Sequence, residues 1–311
     1  MIIKAPIDLE LTQNSGQTSQ PPWKLDNNIY SDVVVADNKA VLFQVKQKEN
    51  NLDFNFIGDI SNKEATKKIK TILDLDFNLN KFYKYLNNQP ELADMTNFCR
   101  DLRLFLAKDK FECVISSVCS ANNSIVRWTK SIDDIKKSWG NKYTYSEKDY
   151  FTFPDVSDFK NIYCDDVEEF ECCSNLNNPG ECINNLKSCG VGYRAPYMKK
   201  ASEIFTLEMD LDDISKMSYD EAFDTMLKVP GVGPKVADCI LLYGFNFRQA
   251  FPTDVWIKRI VSYLYFDGKD INVSKIREFG MEEFGDYAGY VQLYLFHYAR
   301  MSGLMKKLKG M

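Results

Sequence analysis

A lysine beside a glycine turn is the residue of this chain best suited to covalent chemistry. Lys235 ends the stretch Pro-Gly-Val-Gly-Pro-Lys at 230–235, and Pro234 suits the first position of a new helix. The helix dipole disfavours a positive charge at that end, which would make the neutral, nucleophilic amine more available. The alternative interpretation is a lysine that contacts a phosphate group or points into solvent.

An aspartate further along the chain could supply the matching negative charge. Asp254 lies in Phe-Pro-Thr-Asp-Val-Trp at 251–256, directly before apolar residues with helical spacing. Aspartate is a preferred N-cap residue, so a structural capping role is the first interpretation. A carboxylate fixed by capping is also a rigid charge, and such a charge can stabilise a cation that develops during a reaction.

The glycine turn itself could hold a nucleic-acid backbone. Gly231 and Gly233 allow the main chain to approach a ligand closely, and the N–H groups of the following helix favour an anion such as phosphate. Such contacts grip the backbone without reading base sequence. For Gly-x-Gly alone, a tight turn that needs glycine only for its geometry would be favoured, but the flanking residues favour ligand binding.

Composition argues against some classes of protein. The chain has 311 residues, 45% of them hydrophobic, and a formal net charge of −5. This length allows one large domain or two modest ones. An acidic chain is unsuited to coating nucleic acid by bulk charge, so any DNA contact must depend on specific residues. No stretch approaches the roughly 18–20 apolar residues of a membrane helix, and the start lacks a signal-peptide pattern, so we expect a cytoplasmic protein.

The cysteines suggest a metal site but have the wrong spacing for one. The chain has nine cysteines, an odd number, and no export signal, so most of them are expected to be reduced thiols. Five of them share one polar stretch: Cys164, Cys172, Cys173, Cys182 and Cys189. This stretch lacks paired Cys-x-x-Cys knuckles and the only histidine, His297, is remote, so a variable surface loop is favoured. We expect no metal and no cofactor.

The elements that would position these residues predict an α+β protein, a small antiparallel sheet followed by a large helical region. Alternating, β-branched or aromatic segments predict strands at 7–11, 30–35, 40–45 and 54–57, with a hairpin turn at 37–39. Capping residues and apolar periodicity predict helices at 78–86, 95–106, 110–119, 125–139, 195–208, 218–228, after Asp254, and at 286–308. The predicted division is a β domain at 1–87 and a helical domain at 88–311, with a helix-hairpin-helix at about 218–245.

Several motifs together resemble the helix-hairpin-helix superfamily of DNA glycosylases, in particular its 8-oxoguanine DNA glycosylase branch. A helix, a Pro-Gly-Val-Gly turn, a helix with Lys235 and then Pro-x-Asp254 are typical of the superfamily, and Lys-Val-Ala-Asp-Cys at 235–239 is similar to the branch. Further similar segments follow in the family's order at 8–17, 119–127, 190–195 and 288–296. The resemblance implies a TBP-like antiparallel β domain in front of a helical catalytic body.

The resemblance also implies a reaction and a partner. The partner would be double-stranded DNA that contains oxidised guanine opposite cytosine, and the damaged nucleotide would be flipped into a pocket. Lys235 would attack the sugar C1′ and expel the base, and β-elimination from the resulting Schiff base would nick the strand. Asp254 would stabilise the cationic sugar. The protein is expected to be a monomer.

Four residues would line the base pocket by this resemblance. Cys239 and Phe296 would pack on the two faces of the base, and the alternative for both is an ordinary core position. The carbonyl of Gly16 would accept the N7–H that distinguishes 8-oxoguanine from guanine. Gln292 would bind the Watson–Crick edge, and a surface glutamine is the alternative.

Other residues would contact the rest of the duplex. Asn122, Arg127 and Arg194 match positions that read the orphaned cytosine, and Tyr193 would wedge into the gap; arginines that contact only phosphate are the alternative. The expected backbone contacts are Lys228, Gly231, Val232, Gly233 and Trp256.

The chain departs from the family at three points. Trp256 stands where better-known eukaryotic members have a histidine that contacts phosphate. The Cys-rich stretch has no counterpart in the family. The cysteines that bind an iron–sulfur cluster in some relatives are absent from this sequence. Two rival functions remain at this level. One is a glycosylase for oxidised pyrimidines or for adenine mispaired with oxidised guanine, and the other is a non-catalytic DNA-binding module.

Overall fold

Five antiparallel strands form the predicted sheet in the computed structural model, which describes residues 1–164 and 184–308. The strands are β1 (Ile2–Lys4), β2 (Lys24–Asp26), β3 (Ile29–Ala36), β4 (Lys39–Lys48) and β5 (Asn51–Ile57). Their order across the sheet is β1-β5-β4-β3-β2. Asp37 and Asn38 join β3 to β4 with φ of +48° and +59°. This left-handed backbone is what a two-residue hairpin turn needs, and the predicted turn is confirmed.

Helices make up most of the rest of the described chain, and the α+β fold class is confirmed. They are α1 (Leu9–Asn14), α2 (Asn62–Ile72), α3 (Leu79–Asn87), α4 (Met95–Phe98), α5 (Lys110–Ser120), α6 (Ile125–Trp139), α7 (Val156–Phe159), α8 (Ala195–Leu207), α9 (Leu211–Ile214), α10 (Tyr219–Leu227), α11 (Pro234–Phe245), α12 (Val255–Tyr265), α13 (Val273–Phe284), α14 (Ala288–Met301) and α15 (Leu304–Leu308). A small hairpin of β6 (Lys142–Tyr145) and β7 (Lys148–Phe151) follows α6. Within residues 1–164 and 184–308, every helix is too short or too polar to cross a bilayer.

The predicted strand at 7–11 is wrong, because this segment begins helix α1. Asp8 is the N-cap, and its carboxylate accepts a hydrogen bond from the N–H of Leu11 over 2.8 Å. Five alternating residues are too few to separate a strand from one helical turn, and the capping aspartate decides the outcome. The sheet takes β1 from the preceding residues instead.

The predicted helix at 95–106 is also wrong beyond its first turn. Helix α4 ends at Phe98, and the buried residues 102–106 run as irregular chain. Their backbone N–H groups form hydrogen bonds with side chains that are distant in the sequence. The N–H of Arg103 donates to Thr12 Oγ1 over 3.3 Å, and that of Phe105 donates to Gln17 Oε1 over 2.8 Å. These long-range partners replace the hydrogen bonds of a helix.

The predicted helix at 286–308 is interrupted near its end. Helix α14 stops at Met301, and α15 begins at Leu304. Gly303 between them has a φ of +77°, a left-handed conformation that glycine adopts at little cost and that ends a helix.

A network of hydrogen bonds connects the amino-terminal part of the chain to the helices that carry the site. The buried carboxylate of Asp74 accepts hydrogen bonds from Arg248 over 2.6 Å and from the Tyr290 hydroxyl over 2.8 Å. Arg248 follows α11, and Tyr290 lies on α14. Two helices with predicted functional residues are therefore fixed to one anchor.

Candidate active site

The predicted helix-hairpin-helix is present, with α10 and α11 joined by the glycine turn. Gly231 has a φ of +81°, and a Cβ on it would lie 2.7 Å from the Cγ of Tyr197. Only glycine fits this position without displacing the tyrosine ring. Gly233 is the exposed N-cap of α11 and makes no capping side-chain hydrogen bond. The first N–H groups of α11 are thus left to an outside acceptor.

A buried triad that the motifs did not predict holds the hairpin together. Asp238 on α11 is 0% exposed, and its carboxylate accepts hydrogen bonds from Arg277 on α13 over 2.7 and 3.1 Å. The hydroxyl of Tyr219 on α10 donates to the same carboxylate. Burial raises the pKa of Asp238, and Arg277 and Tyr219 act against that rise. An aspartate inside an apolar helix is the sequence signal that could have found this triad.

One cavity of about 70 Å³ brings together all six residues predicted for catalysis and base binding. They are Gly16, Lys235, Cys239, Asp254, Gln292 and Phe296. They come from the amino-terminal loop, the hairpin helix α11, the start of α12 and the last long helix α14. Thr18 and Tyr243 also line the cavity, although the motifs did not single them out.

Lys235 and Asp254, the two residues predicted for catalysis, are not paired with each other. Lys235 is half-buried at the start of α11 and forms no ion pair with Asp254 within 4.0 Å. Asp254 caps α12, and its Oδ1 accepts the N–H groups of Trp256 over 2.9 Å and Ile257 over 2.8 Å. Its Oδ2 accepts no hydrogen bond from any residue that the structure describes. One oxygen orients the carboxylate, and the other stays available.

Cys239 lies one helical turn after Lys235, at the floor of the cavity. It is buried, and burial raises the pKa of its thiol, while the nearby Lys235 and Thr18 act in the opposite direction. The thiol therefore stays protonated near neutral pH and behaves as a small apolar surface rather than as a nucleophile.

Gln292 lines the cavity and carries an unsatisfied acceptor. Its side chain is only 9% exposed, and its Oε1 has no hydrogen-bond partner among the described residues. A buried acceptor without a partner costs about 1–3 kcal/mol. Such a group is expected to gain its partner from a ligand, and the surface position considered as an alternative is excluded.

The amino-terminal loop is closely packed and hydrogen-bonded where it borders the cavity. Gly16 has a φ of +86°, and a Cβ on it would lie 2.5 Å from Cδ1 of Ile125. Gln17, the residue after Gly16, is held by its own side chain. Its Nε2 donates to the carbonyl of Arg103 over 3.0 Å, and its Oε1 accepts a hydrogen bond from the N–H of Phe105. Thr18 Oγ1 lies 3.1 Å from Ser117 Oγ.

Two family models together cover most of the chain. Residues 1–114 match the model of the 8-oxoguanine DNA glycosylase N-terminal domain, and residues 115–285 match that of the HhH-GPD superfamily of base excision DNA repair proteins. The chain belongs to the HhH-GPD superfamily. With the first domain, this identifies it as a member of the 8-oxoguanine glycosylase/lyase family.

Similar proteins extend over nearly the full length of this HhH-GPD enzyme. The "Probable N-glycosylase/DNA lyase" of Methanothermobacter thermautotrophicus is 44% identical over 97% of this chain and 96% of its own. The 8-oxoguanine glycosylase/lyase of Clostridium acetobutylicum, solved with DNA containing cytosine opposite 8-oxoguanine, has a TM-score of 0.78 and 29% identity, covering 96% of this chain and 93% of that one. The 3-methyladenine DNA glycosylase of Archaeoglobus fulgidus, at 21% identity, TM-score 0.77 and coverage of 97% and 98%, shares the fold.

The four residues predicted to face the opposite strand lie outside the cavity, around the turn between α5 and α6. Asn122 and Arg127 are exposed, and the Tyr193 ring is 58% exposed. Arg194 is buried instead. It donates to the carbonyl of Ala121 over 2.8 Å and to that of Asn122 over 3.0 Å, and its guanidinium lies 4.4 Å from the Tyr193 ring centroid. In this HhH-GPD enzyme Arg194 holds the turn and the tyrosine in place.

The remaining predictions concern the backbone contacts and the cysteines. Lys228 is exposed at the end of α10, Val232 is buried in the turn, and Trp256 is half-buried in the first turn of α12. Cys172, Cys173 and Cys182 lie outside the described residues. Among the described residues, no three His, Cys, Asp or Glu side chains are grouped to hold a metal ion.

Proposed function

We propose that this enzyme excises 8-oxoguanine opposite cytosine and then nicks the abasic strand through a Schiff base on Lys235. The observation that carries the proposal is one cavity lined by Lys235, by Asp254 and by Gln292. The Oδ2 of Asp254 and the Oε1 of Gln292 have no hydrogen-bond partner among the described residues. A nucleophile, a fixed negative charge and a base-reading acceptor are the minimum such a reaction needs.

In the proposed reaction, the damaged nucleotide leaves the duplex before chemistry starts. Unstacking and unpairing cost a few kcal/mol, which phosphate contacts with the duplex offset. The exposed start of α11, with Gly231, Val232 and Gly233, would hold a phosphate, together with Lys228 and Trp256. A nearby arginine, Arg259, lies 5.5 Å from the Trp256 ring and adds positive charge to this side of the duplex.

Lys235 then acts as the nucleophile in the proposal. Its neutral amine forms a bond to C1′ while the bond between C1′ and the base nitrogen breaks, and the base leaves with the bonding electrons and takes up a proton. The bound amine then gives up one of its two protons. As the bond between C1′ and O4′ breaks, O4′ takes up a proton, and the iminium that forms keeps one N–H. Loss of a C2′ proton then expels the 3′ phosphate. Asp254 would stabilise the positive charge that develops on the sugar.

Base recognition would use the walls of the cavity. The carbonyl of Gly16 accepts the N7–H of 8-oxoguanine, where guanine has an acceptor and would be repelled. Gln292 Oε1 accepts a hydrogen bond from a donor on the Watson–Crick edge of the base. Cys239 and Phe296 pack on the two faces of the ring. The unsatisfied acceptor of Gln292 supports this arrangement, since a bound base would supply the missing donor.

Recognition of the opposite cytosine would come from the turn between α5 and α6. Arg127 has an exposed side chain with no hydrogen bond to the described residues, so its donors are available to the cytosine acceptors. Asn122 lies beside it, and Tyr193 would fill the gap in the stack. Arg194 would contribute after its donors leave the carbonyls that they now hold, or by keeping Tyr193 in place.

One chain is sufficient in this proposal, since all the residues that line the cavity belong to it. A monomer in the cytoplasm stays the expectation.

The test is a panel of duplexes, each with one lesion and one opposite base. The lesions are 8-oxoguanine, an oxidised pyrimidine, and adenine opposite 8-oxoguanine. We expect the highest single-turnover rate for 8-oxoguanine opposite cytosine. A preference for the oxidised pyrimidine or for adenine would contradict the proposal.

A further inference from the structure

Arg300 lies one helical turn beyond Phe296 on α14, and the proposed reaction gives it no role. Gln292, Phe296 and Arg300 recur every four residues and therefore form one stripe on this helix. The first two line the base cavity. Arg300 lies at its outer edge, in a neighbouring groove of about 410 Å³ that shares Phe296 with the cavity.

Two contacts connect the Arg300 guanidinium to residues that line the cavity. Its Nη1 donates to the carbonyl of Ser15 over 3.3 Å. Its central carbon lies 5.6 Å from the centroid of the Phe296 ring, within the range of a cation–π contact. One side chain thus links the amino-terminal loop to the ring that packs against the base.

The peptide next to Ser15 is the one that must be oriented. Ile125 and Arg300 both border the space beside Gly16, because a Cβ on it would be 2.5 Å from Cδ1 of Ile125 and 3.8 Å from Arg300 Nη1. Hydrogen bonds weaken steeply as their geometry departs from linear. Arg300 holds the Ser15–Gly16 peptide through the Ser15 carbonyl. A rotation of this peptide would turn the next one as well and move the Gly16 carbonyl away from the N7–H of the lesion.

The chemistry of arginine suits this position better than its charge alone. The contacts that the structure gives Arg300 within residues 1–164 and 184–308 are a carbonyl and an aromatic ring, with no carboxylate. A planar guanidinium can donate in its plane and cover a ring with its face at the same time. A lysine ammonium keeps the charge but cannot do both.

We infer that Arg300 is a positioning residue for base selectivity. It fixes the Gly16 carbonyl and the Phe296 ring relative to each other, so that the cavity accepts 8-oxoguanine in preference to guanine. This inference rests on the proposed function.

The experiment measures DNA affinity without turnover, in the Lys235→Gln protein. Two duplexes are compared, one with 8-oxoguanine and one with guanine, both opposite cytosine. Adding Arg300→Ala should reduce the preference for the lesion about tenfold, the loss expected for one charge-assisted hydrogen bond. Affinity for the undamaged duplex and the melting temperature should stay unchanged. Arg300→Lys should fail to restore the preference.

Lys306→Ala is the matched control, because Lys306 lines the same groove but makes no contact with Ser15. It should leave the preference unchanged. A narrowed preference in this control would assign the effect to the charge of the groove and overturn the inference.

Two further outcomes would also overturn it. Equal weakening of both duplexes by Arg300→Ala, restored by Arg300→Lys, would make Arg300 a phosphate contact. An equal loss accompanied by a lower melting temperature would make its role purely structural. If the Lys235→Gln parent binds the 8-oxoguanine duplex no more tightly than the guanine duplex, the proposed function itself is contradicted.

Discussion

Lys235 and Asp238 lie one turn apart on α11, so the triad that fixes Asp238 also fixes the turn that carries the lysine. The Asp238 carboxylate is held from α13 by Arg277 over 2.7 Å and from α10 by Tyr219. Both helices of the hairpin are thereby joined to a third helix behind them. Lys235, the proposed nucleophile, therefore lies at a helix end that is held by contacts with two other helices.

Removing the contacts to Asp238 should lower the free energy of unfolding. Arg277→Ala leaves the buried Asp238 charge without its main partner, and we expect a loss of about 3–5 kcal/mol in the free energy of unfolding. Denaturant titration measures the loss. Lys200→Ala is the control, since the exposed pair of Lys200 with Glu203 should contribute little to the free energy of unfolding. Equal effects of the two substitutions would show that the triad does not stabilise the hairpin.

The role of Asp254 can be separated from its capping role. Asparagine is as good an N-cap as aspartate, so Asp254→Asn should keep the hydrogen bonds to Trp256 and Ile257 and leave stability nearly unchanged. It removes the charge, and single-turnover excision should fall about 10²–10³-fold with little change in DNA affinity. Equal losses in rate and affinity would argue against transition-state stabilisation by Asp254.

Gly16 should tolerate no side chain. Gly16→Ala would put a Cβ 2.5 Å from Ile125 and hold alanine at a φ of +86°, which costs about 1–2 kcal/mol in backbone strain before the clash is counted. Excision of 8-oxoguanine should be lost. Gly303→Ala is the matched control, because Gly303 has a φ of +77° but no atom within 4 Å of the added Cβ. A Gly16→Ala enzyme as active as this control would contradict the tight fit.

The two arginines near the opposite strand should behave differently. Arg127→Ala removes an exposed side chain and should narrow the preference for cytosine opposite the lesion without changing the melting temperature. Arg194→Ala removes donors from the carbonyls of Ala121 and Asn122 and should also lower the melting temperature. Rates on all four opposite bases, with thermal unfolding, measure both effects. An unchanged base preference in Arg127→Ala would reassign this residue to the backbone.

The buried ion cluster between the sheet and α6 predicts a dependence of stability on pH. Asp32 lies 3.3 Å from Lys136 and also contacts Lys108. Burial alone would raise the pKa of Asp32, but the two lysines outweigh it and hold this pKa below its ordinary value. A depressed pKa stabilises the fold above the ordinary aspartate value of about 3.9, and this contribution is lost as the pH falls through the lower folded value.

Asp32→Asn should therefore destabilise the protein by about 3–5 kcal/mol near pH 7, because two buried lysines lose a partner. The difference between Asp32→Asn and the parent should shrink in acid. Asp267→Asn is the control, since Asp267 and Lys269 are exposed and 3.8 Å apart. A difference that stays constant from neutral to acidic pH would show that Asp32 is not charged in the folded protein.

Local signals predicted much of the fold. Asn78, Ser218 and Asp254 each cap a helix in the structure, because a capping side chain bonds to backbone only two or three residues away. The helix predicted at 95–106 is wrong beyond its first turn, because the hydrogen-bond partners of this segment, Thr12 and Gln17, are far away in the sequence. Apolar content reports burial there, but long-range contacts determine the conformation.

The same distinction holds at the site. The motifs placed Lys235, Asp254 and Gln292 together, and the cavity contains all three. They missed the Asp238–Arg277 pair, because Arg277 follows Asp238 by 39 residues and belongs to no motif. They also gave no sign that Arg194 is buried, since exposure depends on how the turn between α5 and α6 folds around it.

Borohydride trapping on a duplex with 8-oxoguanine opposite cytosine tests the central claim most directly, because it captures the covalent bond between enzyme and sugar. We predict one protein–DNA adduct, mapped by peptide sequencing to Lys235, and no adduct with Lys235→Gln. An adduct on another residue, or one that persists in Lys235→Gln, would contradict the assignment of Lys235 as the nucleophile.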